Sequence, residues 1–283
     1  MTTAIQHIGF AHTSGQPLPV EIILLSELRQ RSMDHSIYDP TQLDFHLIQF
    51  IVSGRGKHLC DFESIHLQAG DLLIVRANQV HAFDPDSQHD AQLLAFTPDA
   101  IHQAPGVVPH WAAGRAIRPH AKDFRLLVDL LSFQQRLDQR SADLAPQHLA
   151  PHLLATLLAG VSDVLAAQDR SAPPSHPGYQ SIVRRFENIL DRQHATTRSV
   201  AWYADHLHLT PRTLARACQT ILNLTPKQAI DNRVALEAKR LLSTTDHSVE
   251  SIGLALGFTE STNFIKFFKR TARCTPDEFR KLR

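Results

Sequence analysis

Apolar positions recur along this chain at two different periods, and the change from one to the other divides it. Between residues 43 and 98 lie short runs rich in β-branched and aromatic residues: Phe45 to Val52, Ser64 to Leu67 and Asp71 to Val75. Gly54, Gly56, Gly70 and Pro85 punctuate them. That rhythm predicts antiparallel sheet arranged as a sandwich or barrel. From about 121 to 168 the spacing turns helical, with Phe124, Leu127, Val128 and Leu131 in one segment. Leu149, Leu153, Leu157, Val161 and Leu165 follow in another. Two amphipathic helices are predicted there. Ser171 to Gly178 holds three prolines and no apolar period, and reads as an extended linker. Everything after it is predicted helical.

The last hundred residues repeat themselves at an offset of about 50. Ser199-Val200 recurs as Ser248-Val249, Leu209 as Phe258, Leu214 as Phe264, Arg216 as Lys266, and Thr225-Pro226 as Thr275-Pro276. The offset passes from 49 to 50 inside the turn, so the second copy carries one extra turn residue. Two copies of one supersecondary unit are implied. In the first, Val200 to His208 makes a short helix, and Thr210-Pro211 supplies an N-cap and first-turn proline for the next. There Leu214 and Cys218 face inward, leaving Arg212, Thr213, Ala215, Arg216 and Gln219 outside.

In the second copy a helix from Val249 to Leu256 ends at Gly257-Phe258, where glycine permits the positive φ of a helix stop. The following helix buries Phe264, Phe267 and Phe268 and leaves Ser261, Thr262, Asn263, Lys266, Lys269 and Arg270 free. Two short helices with polar and basic residues on the second make a helix-turn-helix. Thr225 to Gln228 and Thr275 to Glu278 are T-x-x-E/Q capping boxes, each opening another helix. The first of these is long, to about Ser243, with Arg233, Lys239 and Arg240 expected on its outside. A rod of that kind would hold two recognition helices at the separation of successive major grooves, about 34 Å.

Charge sharpens this picture. Residues 179–283 carry 17 Lys and Arg against 10 Asp and Glu, a net +7, whereas residues 1–178 carry 12 against 18, a net −6. A basic segment joined to an acidic one fits a polyanion-binding module, because counterion release rewards clustered cations. Cys60, Cys218 and Cys274 are too far apart for a disulfide framework or a zinc cluster. The ends hold neither an apolar run of about 20 residues nor a secretory signal, so a soluble, cytoplasmic protein is expected.

The stretch Ser251-Ile252-Gly253-Leu254-Ala255-Leu256-Gly257-Phe258, then Asn263 to Arg270, then Thr275-Pro276 and Phe279-Arg280, resembles the signature of the AraC/XylS family of bacterial transcription regulators. The resemblance covers roughly residues 180 to 283. It implies two recognition helices that read double-stranded DNA through Arg212, Thr213, Ala215 and Arg216 in the first. Ser261, Thr262, Asn263, Lys266 and Lys269 do so in the second. Asn223 and Arg273 stand where the family usually has glycine. Asparagine tolerates a left-handed backbone more readily than arginine.

Gly70 to His81 resembles the second cupin motif, with Arg76 in place of its proline and Asn78 in place of its glycine. With Phe45-His46 and Ser53 to Gly56 it looks like the cupin-type sensor domain found in many family members, over about residues 20 to 100. The His-x-His pair of the first cupin motif is missing, since His46, His58 and His66 are too widely spaced. A site drawn from separate strands by His46, His58 and His81 stays open.

The resulting expectation is an α+β multidomain chain. Residues 1–170 form a cupin-like β-barrel plus amphipathic helices that senses an effector and dimerises, residues 171–178 a linker, and residues 179–283 an all-α double helix-turn-helix domain. His46, Gln49, His58, Arg76 and His81 are the candidate effector-binding residues. No catalytic residue, metal or cofactor is assigned. The expected partners are DNA, a small-molecule effector and a second copy of the chain, with RNA polymerase a further candidate and no membrane. Two other readings stay open: a front domain that only dimerises or binds a protein, and a metal-dependent cupin enzyme with a helical tail.

Overall fold

A computed structural model of the chain describes residues 5–11, 20–31, 37–102, 114–138, 146–171 and 177–281. In chain order the first part holds β1 (Gln6–Ile8), β2 (Val20–Leu24), α1 (Leu25–Arg31), β3 (Thr41–Leu43), β4 (His46–Ser53), β5 (Arg55–Cys60), β6 (Glu63–Gln68) and β7 (Leu72–Val75). β8 (Val80–Phe83), β9 (Asp90–Phe96), α2 (Pro98–His102), β10 (Ala116–Ile117), α3 (Ala121–Asp138) and α4 (Pro146–Ser171) follow. The remainder is α5 (Pro177–Gln193), α6 (Val200–His206), α7 (Pro211–Leu222), α8 (Pro226–Thr244), α9 (Val249–Ala255), α10 (Ser261–Ala272) and α11 (Pro276–Lys281). The chain divides into two compact units, with Ile5–Asp169 in one and Arg170–Arg283 in the other. No described helix is long and apolar enough to cross a membrane.

The front unit is built on two five-stranded sheets, ordered β1-β3-β8-β5-β6 and β10-β7-β4-β9-β2. Leu47, Ile51, Leu73, Val75, Leu93 and Ala95 of the second sheet meet Leu43, Cys60, Ile65, Leu67 and Phe83 of the first in one core. The alternate residues of the second sheet, Ile48, Phe50, Leu72, Ile74, Leu94 and Phe96, form another core with Leu127 and Leu131 of α3 and with Leu154, Leu157, Leu158, Val161 and Leu165 of α4. A sheet covered on both faces explains why β4, β7 and β9 are nearly continuous apolar runs.

The sheet extends beyond the expected 43–98 segment. β2 pairs with β9 from Val20 opposite Phe96 to Leu24 opposite Gln92, and β1 and β10 add short edges. Runs of two to five residues offer too few positions to show a period. The linker needs a correction as well. Ser171 ends α4 and Pro177-Gly178 begin α5, proline being acceptable in a helix's first turn. Residues 172–176 of the expected linker lie outside the described residues. Gly54 is one glycine the fold requires, since its φ is +73° and a Cβ would run into the Gln88 carbonyl.

In the second unit the duplication is visible in element lengths. α6 and α9 have 7 residues each, and α7 and α10 have 12 each. The turn is 207–210 in the first copy and 256–260 in the second, so the extra residue is there as read. His208 (φ 58°) in one turn matches Gly257 (φ 76°) in the other. Asn223 and Arg273 both end their helices in the left-handed region, at φ 54° and 62°. Arginine therefore takes the backbone usually given to glycine, at a cost of about 1 kcal/mol.

Gln49 of β4 (0 % exposed), His58 of β5 (0 %) and His81 of β8 (4 %) carry polar side chains into the sandwich. Gln49 Nε2 lies 3.2 Å from His58 Nδ1, and His58 Nε2 lies 3.1 Å from His81 Nδ1. One tautomer set satisfies both contacts, with the amide donating to Nδ1 of His58 and Nε2–H of His58 donating to His81. Burial, reinforced by His81 and His89, drives the His58 pKa well below its ordinary value. Burial pushes His81 down to about 4 against the pull of the Asp61 carboxylate. His46 is also pushed down to about 4, by burial and then by the Arg76 guanidinium.

All three imidazoles titrate near 6.5 in an unfolded chain, so the native unit binds fewer protons than the unfolded one as pH falls below that value. Its stability is complete above about pH 6.5 and declines on the way to pH 4, His81 alone losing about 3 kcal/mol by then. Urea titration read by hydrogen exchange at β5 and β8 amides is expected to show that decline, and His81→Gln to make it shallower. Protection independent of pH across this window would overturn the assignment of neutral buried imidazoles.

Candidate nucleic-acid interface

α7 starts at Thr210, whose hydroxyl oxygen accepts from the Thr213 N–H at 3.1 Å, with Pro211 in the first turn. Leu214, Ala217 and Cys218 are its buried residues. With alanine and cysteine on that stripe the helix lies close to α5, whose own buried stripe is Val183, Phe186 and Leu190. Burial and then Glu187 push the Cys218 thiol up to about 12, which leaves it protonated and unreactive. Arg212, Arg216 and Gln219 are exposed, while Thr213 and Ala215 are half-buried. The Thr213 hydroxyl is 2.9 Å from that of Thr210 and so is engaged locally.

α10 repeats the arrangement 50 residues on. Phe264, Phe267 and Phe268 are buried at the positions of Leu214, Ala217 and Cys218. Phe258 from the turn packs edge-on against Phe264 at 5.3 Å. Thr262, Asn263, Lys266 and Lys269 are exposed and Ser261 is half-buried. Glu260 occupies the N-cap without a side-chain cap bond, and its carboxylate accepts from the Thr262 hydroxyl at 3.3 Å. Thr262 and Lys266 thus stand where Arg212 and Arg216 stand in the first copy. Nine expected contact residues fall on two equivalent helix faces, six of them exposed.

The connecting helix α8 departs from expectation. Arg233 and Arg240 do not point outward: Arg240 is 4 % exposed and pairs with Glu237 at 3.3 Å. Arg233 pairs with Asp191 of α5 and with Glu237, each at 2.9 Å. Burial opposes ionisation of Glu237, but the Arg233 and Arg240 guanidiniums outweigh it and hold its pKa below the ordinary range. Arg233 thereby fastens the rod to α5, while the Arg240 pair with Glu237 lies within the rod itself. Helical period alone places them on a polar face and says nothing of the carboxylates that other helices bring to that face. Both capping boxes form: Thr225 with Gln228 is complete in both directions, and the Thr275 N–H donates to Glu278 at 2.7 Å.

In the front unit the five candidate effector residues do not converge. Gln49, His58 and His81 meet in the sandwich interior, whereas His46 points to the opposite face of β4. There it stacks on Phe96 with centroids 5.3 Å apart, and its Nδ1 accepts from the Ala77 N–H at 3.1 Å. Arg76 is half-buried in the turn after β7, where its N–H donates to Gln79 Oε1 at 2.6 Å. His46, His58 and His81 therefore do not assemble into one site. Among the described residues no group of three or more His, Cys, Asp or Glu is placed to hold a metal ion.

One interior residue escaped the sequence reading. His89 is 1 % exposed, and neither ring nitrogen meets a protein partner. Its spacing from Ala91, Leu93 and Ala95 is the signal that puts it on the inner face.

Known proteins agree with both halves. A profile described as an AraC-like ligand binding domain matches residues 25–154, and one described as a helix-turn-helix domain matches residues 203–282. The HTH-type transcriptional activator RhaS of Yersinia pestis (strain Pestoides F) is 24 % identical over 294 residues, covering 98 % of each chain. RhaR of Mannheimia succiniciproducens is 21 % identical over 243 residues, covering 84 % of this chain and 85 % of that one. Among solved structures, ToxT from Vibrio cholerae is 12 % identical with a TM-score of 0.43, covering 92 % of this chain and 97 % of that one. With a sheet-built ligand-binding domain followed by paired helix-turn-helix units, the chain belongs to the AraC family of transcription regulators.

Proposed function

We propose that the chain reads a specific operator through α7 and α10, under the control of a small-molecule effector held in the front unit. The observation that carries this reading is the equivalence of the two exposed faces, Arg212 and Arg216 on one helix and Thr262 and Lys266 on the other. Arginines make bidentate contacts to guanine edges, Thr262 and Asn263 supply short polar groups for base edges, Ala215 offers a methyl, and Lys269 serves a phosphate. Thr213 and Ser261, half-buried at the helix starts, lie closer to backbone than to base.

The effector reading assigns the front unit through α4 to sensing and dimerisation, the stretch between α4 and α5 to the connection, and α5 onward to DNA. Gln49, His58 and His81 are the interior groups around which a ligand would be recognised, with Arg76 and His46 outside that chamber. A ligand that prefers one arrangement of the protein shifts the population between DNA-competent and incompetent forms. The protein acts in the cytoplasm and catalyses no reaction, and RNA polymerase is its partner at the promoter.

Dimerisation is assigned to α3. Leu126 is 61 % exposed and Phe133 46 % exposed, seven residues apart on one face, with half-buried Leu130 and Leu137 alongside. An apolar stripe of that spacing suits pairing with a second copy.

Arg212→Ala or Arg216→Ala is expected to relax preference at individual operator bases by about 1–3 kcal/mol. Lys269→Ala should weaken all sequences alike and lower the salt slope by about 1. Competition binding against single-base operator variants separates these outcomes, and unchanged selectivity in both arginine variants would sink the assignment. The double change Leu126→Asp and Phe133→Asp is expected to convert the protein to monomer in sedimentation equilibrium; a retained dimer would place the interface elsewhere.

A further inference from the structure

α8 is not by itself sufficient to fix the angle between the two readers. At one end Asn223 leaves α7 in a left-handed conformation before α8 begins, and at the other Thr245 is extended, with φ −131° and ψ 154°. Each joint is a short non-helical segment, so the angle between the readers rests on side-chain contacts rather than on continuous helix. The second joint is braced by Arg280 of α11, whose guanidinium donates to the His247 carbonyl at 2.6 Å.

A direct bridge joins the units independently of the rod. The loop between α5 and α6 reaches the turn between α9 and α10. There the Arg198 guanidinium donates to the Gly257 carbonyl at 2.9 Å and lies over the Phe258 ring, 3.6 Å from its centroid. Gly257 backs onto the same loop so closely that a Cβ there would collide with the Ala195 carbonyl oxygen. The loop is itself anchored, since Asp191 at the end of α5 pairs with Arg233 of the rod at 2.9 Å and the Tyr203 hydroxyl donates to the Thr197 carbonyl at 3.2 Å.

On the far side Arg270, in the last turn of α10, pairs with Asp231 of the rod at 3.1 Å. Asp231 also holds Lys227 at 2.7 Å and acts electrostatically on Arg198. The contacts close a ring that runs from rod to α5, loop, turn, α10 and back to the rod.

We propose that Arg198 is a spacing-determining residue for operator recognition: by closing this ring it fixes the angle between α7 and α10 and makes the protein reject operators whose two half-elements are out of register. The proposal rests on the reading that both helices occupy one operator. Inserting one base pair between half-elements moves the second by about 3.4 Å and turns it by about 35°, from 10 to 10.5 base pairs and 34–36 Å per turn. A swivelling pair absorbs that change through its joints, and a closed ring does not. Opening the ring trades spacing discrimination for tolerance while leaving every base-reading side chain in place.

The test uses the full chain and a duplex enriched by it from a randomised pool, with both half-elements then mapped by base substitution. Variants of that duplex carry one base pair added to or removed from the spacer. The unaltered protein is expected to lose about 30-fold or more in affinity for either spacer variant, the scale of forfeiting one helix's base contacts. Arg198→Ala is expected to bind the original duplex within about tenfold of the unaltered protein and to differ by less than about fivefold between spacings. Phe258→Leu, which keeps an apolar side chain in the turn and removes the stacking ring, is expected to act in the same direction.

Thermal unfolding establishes that each variant is folded before it is compared. A folded Arg198→Ala and a folded Phe258→Leu that retain the full spacer penalty would overturn the proposal while leaving two-helix recognition intact. A pool that yields one half-element, with no dependence on a second, would overturn both.

Discussion

The arrangement of the DNA-binding unit depends on the burial of one three-residue stripe in each reader. Leu214, Ala217 and Cys218 in α7 and Phe264, Phe267 and Phe268 in α10 occupy positions i, i+3 and i+4, in the same phase. Burying that stripe fixes which way each helix faces, and the outward placement of Arg212 and Arg216, or Thr262 and Lys266, follows from the 3.6-residue period. The two stripes differ in size. Small residues bring α7 close against α5, while three phenylalanines, joined by Phe258 and Phe279, build a separate aromatic core around α10. One backbone plan thus carries two packing solutions, and the second has no need of a helix equivalent to α5.

The front unit is organised by a different constraint. Its two sheets enclose a core between them, so every polar side chain that points into that core must find a partner within the protein or remain unsatisfied. Gln49 meets His58, and His58 meets His81, but Gln49 Oε1 and both nitrogens of His89 have no protein partner. An apolar replacement at such positions would be the cheaper way to fill a sandwich. The four polar groups held among leucines, isoleucines and valines are those around which the proposed effector would be recognised. The supporting shell is polar too: Gln79 receives the Arg76 N–H and donates to Asp61 at 2.6 Å, which orders the turn leading into β8 and therefore His81.

Legibility in the sequence followed the range of the interactions. Helix starts were readable because caps are local: Thr210, Thr225 and Ser248 each accept from a backbone N–H three residues on. The duplication, the extra turn residue and the aromatic triplet were readable for the same reason. Whatever depended on a partner distant in sequence was not. Arg233 looks outward by period and is drawn in by Asp191 of α5, 42 residues away. His46 and Gln49 look alike as polar residues in a strand, yet they face opposite sides, and only the register of β4 against β9 decides which is interior. On α4 the buried stripe runs through Leu154, Leu158 and Val164 as well as the expected Leu157, Val161 and Leu165, while the expected Leu153 is only half-buried and the Leu149 side chain lies outside the described residues, since the helix packs on a broad sheet face rather than along a narrow seam. Arg198 carried no local signal at all, because its partners Gly257 and Phe258 lie 59 and 60 residues away.

A reader pair held in a closed ring narrows the ways in which an effector acts on DNA binding. Reorienting α7 against α10 would mean breaking the Arg198 bridge, the Arg270 pair with Asp231, or the Arg233 pair with Asp191, together with the packing of α10 on α8. Those contacts are mutually supporting, so partial loosening gains little freedom until one link fails outright. Changes outside the ring meet no such resistance. In the proposed dimer, altering which copies associate through α3, or how the pair presents its two DNA-binding units, would leave every intra-unit contact unbroken. On the proposed reading, effector control would therefore act more economically through the association of whole units than by deformation within one, and the differential affinity of the ligand would need to match only the few kcal/mol that separate such arrangements.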